Sequence, residues 1–430
     1  MKKIILLSLL LASGLTYGQS SQEELKELVT KSFGYFPKIK EMEQQTVLSA
    51  ERIELSRKNY MPTLAGNVSY SYINPVSQTA IPIGPGVTRE LQFQPHNNFN
   101  ANLALNYVVY DFGRTRASIE KAKEELKASQ GTLEANKTQL AAQVAGVYYG
   151  IIYLEKAIAI QDSVLATLEE NKRVAESKLR HGEGLEIDLL NIKSTMDNER
   201  NRKADLENSL TKQYALLSYS TGSEATIKGA YFDFASENTS VADALNKAVQ
   251  DNYDFSILKN RISVSKSDIN LNRAQYLPTL NFVANTGYKN GYQPDLNQLR
   301  FNYLIGANLA IPIYSGGKID QQVQIAKSTA RLNELTMETL RNNYKRDIQQ
   351  TLADINSNQE RLRNIESQIT QAKETSRLAA SRFKNGTGTH LELTTAITNI
   401  QRAELTKLQY QYQLCLSNIE LARLTGVKYW

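Results

Sequence analysis

The chain carries the same pattern twice. Tyr110-Asp111-Phe112-Gly113-Arg114 returns as Tyr314-Ser315-Gly316-Gly317-Lys318, Arg180-His181-Gly182-Glu183-Gly184 as Lys384-Asn385-Gly386-Thr387-Gly388, and Thr221-Gly222 as Thr425-Gly426, all at one offset of 204 residues. Tyr60-Met61-Pro62-Thr63-Leu64 returns as Tyr276-Leu277-Pro278-Thr279-Leu280, shifted by 12 more, so the first copy holds a longer insertion between its two strand-like segments. A long unit with several ordered anchors is an internal duplication, and whatever fold the chain adopts is built from two such units.

Proline limits where helices can run. It occurs only at 37, 62, 75, 82, 85, 95, 278, 294 and 312, leaving two long tracts free of helix breakers. From Gly113 to Arg180 apolar residues recur every seven: Ile119, Leu126, Leu133, Leu140, Val147, Leu154, Leu168 and Ala175, with Gln161 the one gap. A second seam is Val144, Ile151, Ile158, Leu165 and Leu179, repeated in the tract from Gly317 to Lys384 as Ile348, Ile355, Leu362, Ile369 and Phe383. A sustained period of seven is a helix packed in coiled-coil fashion. Each tract is about 68 residues, roughly 100 Å of helix. Each ends in Gly-x-Gly, where glycine supplies the positive φ that a helix end requires, and a second helical segment returns. These are helical hairpins with sharp tips.

Two strand-like segments precede each long helix. In the first copy Leu64, Val68, Tyr70 and Tyr72 alternate with Ala65, Asn67, Ser69 and Ser71, then Phe99, Ala101, Leu103, Leu105 and Tyr107 with Asn100, Asn102, Ala104 and Asn106. In the second copy Leu280, Phe282, Ala284 and Tyr288 alternate with Asn281, Val283, Asn285 and Gly287, then Tyr303, Ile305, Ala307, Leu309 and Ile311 with Asn302, Leu304, Gly306, Asn308 and Ala310. Period two is a strand. One face is apolar, with aromatics near the ends; the other is uncharged and rich in Asn, as in a water-filled lumen. The lengths approach the ~10 residues of a tilted membrane strand. A small sandwich in water is the alternative. Asn74 to His96, with four prolines, and the shorter Tyr288 to Arg300 read as polar loops at the end away from the helices.

Four strands cannot close alone in lipid, because two edges would leave backbone groups unsatisfied at several kcal/mol each. Several copies must pool their strands, two giving eight and three giving twelve. The fold class expected is an α+β membrane protein: an internally duplicated chain with four transmembrane strands and long coiled-coil hairpins. Its layout is a signal peptide at 1–18; a first repeat at 19–222 with a short helix, strands 63–74 and 97–111, and a hairpin 113–220 with its tip near 180–184; a linker at 223–240; and a second repeat at 241–430 with a helix, strands 279–289 and 301–313, and a hairpin 317–424 with its tip near 384–388.

The first residues support export from the cytoplasm. Met1-Lys2-Lys3 is basic, Ile4 to Ala12 is apolar but too short to span a bilayer, and Thr16-Tyr17-Gly18 offers a cleavage site before Gln19. A buried N-terminal strand is the alternative. The net charge of +6 drops by two when Lys2 and Lys3 leave, and no basic run interleaves with aromatics, so nucleic acid is not an expected partner. Cys415 is the sole cysteine and cannot form an internal disulfide; it reads as a small packing residue.

The duplicated motifs resemble the TolC-type outer-membrane efflux proteins over essentially the whole mature chain: Tyr-x-Pro-Thr-Leu opening each first strand, glycine-marked strand-to-helix junctions, Gly-x-Gly tips, and Thr-Gly closing each repeat. The resemblance implies a homotrimer with a twelve-stranded barrel in outer-membrane lipid and a twelve-helix periplasmic tunnel. It also implies docking of the tips to a periplasmic adaptor (membrane fusion) protein and an inner-membrane pump of RND, ABC or MFS type. The task it implies is passive efflux of small molecules, or alternatively ABC-driven (type I) protein secretion. A coiled-coil structural protein of the periplasm is the third reading.

The family closes its periplasmic mouth with charges just after the tips. Here Asp188 and Glu392 match in position, and in a trimer they form a ring of six carboxylates; the plainer reading is a helix N-terminal acid stabilised by the dipole. A second acid one turn on is replaced by Asn191 and Thr395, and Gly388 stands where some relatives have a gating Arg, which weakens the case for a salt-bridged gate. Arg180, His181, Gly182, Lys384, Asn385 and Gly386 are the candidate adaptor contacts. His181 and His390 are expected to be solvated rather than metal-binding. Tyr70, Tyr72, Tyr107, Tyr288 and Tyr303 suit interfacial girdles, while Tyr148, Tyr149 and Tyr153 suit helix packing. No catalytic constellation, cofactor motif or metal motif is present, so no enzyme is expected.

Overall fold

The computed structural model describes residues 21–224, 226–235 and 239–430. The proposed signal peptide lies outside the described residues. The order is α1 (Ser21–Tyr35), α2 (Pro37–Lys58), β1 (Thr63–Tyr72), β2 (Gln78–Gly84), β3 (Val87–Gln92), β4 (Asn97–Tyr110), α3 (Arg114–Arg180), α4 (Glu186–Thr221), α5 (Val241–Asp251), α6 (Tyr253–Ala274), β5 (Thr279–Lys289), β6 (Arg300–Ala310), α7 (Lys318–Lys384) and α8 (His390–Thr425). The proline-free tracts are α3 and α7, each of 67 residues, and each is followed by a returning helix of 36. Among the described residues no helix is long and apolar enough to cross a membrane.

The chain divides into two compact units. The first runs to Gln44 and takes in Gly131–Ser256 and Met337–Trp430. Its main core gathers Leu140, Val144, Val147, Ile151 and Ile152 of α3 with Leu25, Leu28 and Val29 of α1 and Leu217, Cys415 and Ile419 of the returning helices. Tyr148 and Tyr149 are fully buried within it, as packing residues, but each also anchors a polar tie. The Tyr148 hydroxyl donates to Glu24 at 2.9 Å and that of Tyr149 to Asp233 at 2.8 Å. Glu24 also accepts the Lys228 and Gly229 N–H groups, so the segment after α4 is pinned to α1. Burial in this core pushes the Cys415 thiol far above its ordinary pKa, which fits packing rather than reaction.

The gap at Gln161 has a cause in this unit. Gln161 donates to Glu199 Oε2 at 2.6 Å; Gln401 donates to Gln161 Oε1 at 2.9 Å and to Glu199 Oε2 at 2.8 Å. All three are buried, on α3, α4 and α8. A polar residue replaces an apolar one in the seam because three helices meet there through hydrogen bonds.

The second unit, Gln45–Gln130 and Ile257–Thr336, holds a four-stranded antiparallel sheet in the order β1-β4-β5-β6. β1 and β6 are its open edges. Exposure is the reverse of that in a water-facing sheet: Phe99, Ala101 and Leu103 are exposed, whereas Asn98, Asn100 and Asn102 are half-buried. Aromatics cluster towards both ends of the apolar face. Tyr70 packs on Phe99 at 5.0 Å and Tyr288 on Phe301 at 5.7 Å near one end, and Tyr107 stands opposite Phe282 near the other. Leu64, Leu105, Ala284 and Ile305 form a belt between them. A bulge leaves Val109 without a counterpart, so that Tyr110 pairs with Leu280 and returns to the apolar face.

One expectation fails here. The stretch from Asn74 to His96 is not only loop: β2 and β3 pair as a separate antiparallel hairpin. Its prolines read as loop, but Pro82 sits in a strand whose pairing shifts register just after it, where a missing N–H is tolerated.

Candidate functional site: the helical-hairpin tips

Both tips lie in the first unit. At the first, α3 ends at Arg180, Gly182 takes φ 77°, and its N–H donates to Leu179 O at 3.1 Å, while Glu183 N–H donates to Lys178 O at 2.9 Å. At the second, Gly386 takes φ 75°, its N–H donates to Phe383 O at 3.2 Å, and Thr387 N–H donates to Arg382 O at 2.9 Å. These bonds satisfy the orphan carbonyls of the helix ends and turn the chain within a few residues.

The tips are joined to each other. The Lys178 ammonium donates to the Phe383 carbonyl and lies 4.7 Å from the centre of the Phe383 ring. Below it Val164, Leu168, Ala175, Ile192, Met196, Leu393 and Ile397 form one cluster with Phe383, drawing on all four hairpin helices. Arg180, His181, Gly182, Lys384, Asn385 and Gly386 are all exposed on this platform. So are four aliphatic side chains that sequence reasoning passed over: Leu185, Ile187, Leu190 and Leu391. The available signal was their position directly after the glycine turns, off the heptad face.

The two acids are not equivalent. Thr389 caps α8, its Oγ1 accepting Glu392 N–H at 3.2 Å while Glu392 accepts Thr389 N–H at 3.3 Å, a complete capping box. Glu392 also meets Arg382 at 3.7 Å. At the first tip Leu185 occupies the cap position and makes no side-chain cap. Asp188, half-buried, has no such box.

The two histidines differ as well. His181 is solvated as expected, with Nδ1 2.7 Å from Ser177 O. His390 is not: it is 8% exposed, packs edge-on against Phe383 at 6.2 Å, and has Nε2 3.0 Å from Thr394 Oγ1. It faces inward because it opens α8 under the tip core. Burial holds its pKa below the ordinary value, and the charge of Asp188 pulls the other way. A depressed histidine pKa means that protonation opposes the fold. The stability involved is fully present above about pH 6.5 and is lost as pH falls through the lower folded value. Amide protection factors across 386–394, taken relative to the intrinsic exchange rate at each pH, are therefore expected to fall on acidification and to lose that dependence in His390→Asn. Wild-type protection factors that do not change with pH would contradict this. Among the described residues no group of His, Cys, Asp or Glu could hold a metal.

Comparison with known proteins agrees with this architecture. The profile of the family "Outer membrane efflux protein" matches residues 36–223 and again 244–427. The outer membrane protein TolC of Vibrio cholerae is 23% identical over 440 residues, covering 99% of this chain and 96% of that one. The proteases secretion protein PrtF of Dickeya chrysanthemi is 20% identical over 308 residues, covering 67% and 64% respectively, so the chain spans just under two thirds of it. Among solved structures the outer membrane protein VceC of Vibrio cholerae shares the fold with a TM-score of 0.76 and 15% identity, over 96% of this chain and 100% of that one. With both halves of the chain matched in order, it belongs to the outer membrane efflux protein family and is an outer-membrane protein.

Proposed function

We propose that three copies of this chain close one twelve-stranded barrel in outer-membrane lipid and that their helical hairpins form a periplasmic duct. The duct is a passive exit for small molecules handed over by an inner-membrane RND, ABC or MFS pump through a periplasmic adaptor that docks on the exposed tips. The observation that carries this is the four-stranded sheet with open edges at β1 and β6 and an apolar, aromatic-ended face turned outward. In hydrocarbon those edges are satisfied only by strands from further copies. The number three comes from the family likeness. A second reading, ABC-driven protein export, is favoured by the relative named for protease secretion.

The test is reconstitution of the mature chain in planar bilayers, with cross-linking in parallel. Discrete conductance from a cross-linkable trimer is expected. A monomer that carbonate strips from membranes would sink the proposal. In the same bilayers Asp188→Asn with Glu392→Gln is expected to raise single-channel conductance or relieve cation block, because the aperture carboxylates hold the mouth electronegative. The amide at 392 keeps an oxygen for the capping box, so a change in conductance reports charge rather than fraying.

A further inference from the structure

The four strands of the sheet contain no Asp or Glu, and their only charged residues are Lys289 and Arg300. Register places these two together. The β5–β6 pairing runs unbroken from Thr279 opposite Ala310 to Lys289 opposite Arg300. Asn100 of β4 stands opposite Lys289, and Ser69 of β1 opposite Asn100. One cross-strand row, Ser69–Asn100–Lys289–Arg300, thus spans the sheet at the end that carries the β2–β3 hairpin and the β5–β6 loop.

Strand alternation puts both cations on the Asn-rich face. Arg300 shares its side with Asn302, two residues on, and Lys289 shares its side with Gly287 and Asn285. Phe301 and Tyr288 point to the opposite, apolar face. Like charges directly opposite each other in a sheet oppose pairing. Here that repulsion is not relieved by an acid. Arg300 Nη1 donates to Gln293 O at 3.0 Å, and Lys289 Nζ stands 5.1 Å from the centre of the Tyr292 ring. Both partners are neutral, and among the described residues neither cation has an ion-pair carboxylate. The nearby Asp295 carboxylate accepts the Asn297 N–H at 3.0 Å.

We infer that Lys289 and Arg300 form an anion-recruiting band at the outer end of the pore, selecting for small solutes that carry carboxylate or phosphate groups. The inference rests on the barrel proposed above, in which each copy adds two cations to one ring on the water-facing side. Because the ring faces water and not lipid, it acts on permeating solutes rather than on lipid headgroups. A ring of like charge inside a low-dielectric wall concentrates counter-ions.

The experiment compares wild type, Lys289→Gln/Arg300→Gln and the charge-keeping swap Lys289→Arg/Arg300→Lys in bilayers free of lipopolysaccharide. It reads reversal potential under a potassium chloride gradient and block by inorganic tripolyphosphate added on the side of the sheet's loops. The glutamine pair is expected to lower the chloride-to-potassium permeability ratio by at least about twofold and to lose tripolyphosphate block, while the swap keeps both. The glutamine pair removes a repulsion, so it is expected to assemble. Channels that conduct with unchanged ratio and unchanged block would overturn the band while leaving the duct intact. Absence of any conductance from wild type would overturn the duct itself, and the band with it.

Discussion

Tryptophan at Gly182 and Gly386 will abolish export while the chain still reaches the outer membrane at its normal level. At both positions an added Cβ meets nothing within 4 Å, so the side chain projects into open space. The backbone cost of a non-glycine residue at φ 77° and 75° is about 1–2 kcal/mol each, borne at a local turn rather than in the core. Docking is affected differently. If the tips are the adaptor contact, a large ring on each one holds the partner off Arg180, His181, Lys384, Asn385 and the exposed aliphatics Leu185, Ile187 and Leu391. Gly184 and Gly388 are unsuitable for this test. A Cβ there comes within 2.8 Å of Leu179 N and Arg382 Cβ respectively, so those substitutions deform the turn itself. The measurement is export in a host that lacks its own outer-membrane efflux channel, supplied with the partner adaptor and pump, alongside the amount of chain in the membrane fraction. Unchanged export would remove the tips from the interface, and loss of the membrane-bound chain would mean that the turns are structural.

The long-range plan of the chain is legible because it depends on period. Proline-free heptads can only be long packed helices, and α3 and α7 run from the residue after the glycine junctions to the tips. Alternation exposes the sheet because the polar and apolar sets keep to opposite faces for many residues. What escaped depends on one residue or on partners distant in sequence. Val109 leaves the alternation by a single bulged position, which a period-two pattern reads as an end. The β2–β3 hairpin contains prolines that look like a loop. Gln161 broke the heptad visibly, but its partners Glu199 and Gln401 are 38 and 240 residues away. The contrast between the two tip acids was present in the sequence. Thr389 with Glu392 three residues on is a capping-box signature, and Leu185 with Asp188 is not. His390 could not be separated from His181 by residue type, because only packing turns one inward and leaves the other in water.

Glu199→Ala is expected to destabilise the hairpin bundle where α3, α4 and α8 meet. Glu199 Oε2 takes hydrogen bonds from Gln161 and Gln401, and Oε1 accepts from Arg202 at 2.6 Å. Removing it takes the charged acceptor from both amides, while Gln161 Nε2 keeps the Glu199 backbone carbonyl at 2.9 Å and Gln401 keeps Gln161 Oε1 at 2.9 Å, so the cost is that of the lost bonds to a charged group, roughly 1.5–3 kcal/mol. The Arg202 bond adds little, since its guanidinium is 61% exposed. Gln161→Leu or Gln401→Leu alone is expected to cost less, because the remaining amide keeps Glu199 partnered. The triple replacement by leucine removes every polar group that needs a partner and is expected to recover most of the loss. It also removes a hydrogen-bonded cluster that fixes α8 against α3 and α4. Hydrogen exchange of α4 and α8 separates these effects: Glu199→Ala should speed exchange throughout both helices, whereas the triple leucine variant should stay protected but exchange less uniformly if register is loosened. Wild-type protection in Glu199→Ala would show that the three polar residues are tolerated rather than needed, and the break in the heptad at Gln161 would then have no energetic meaning.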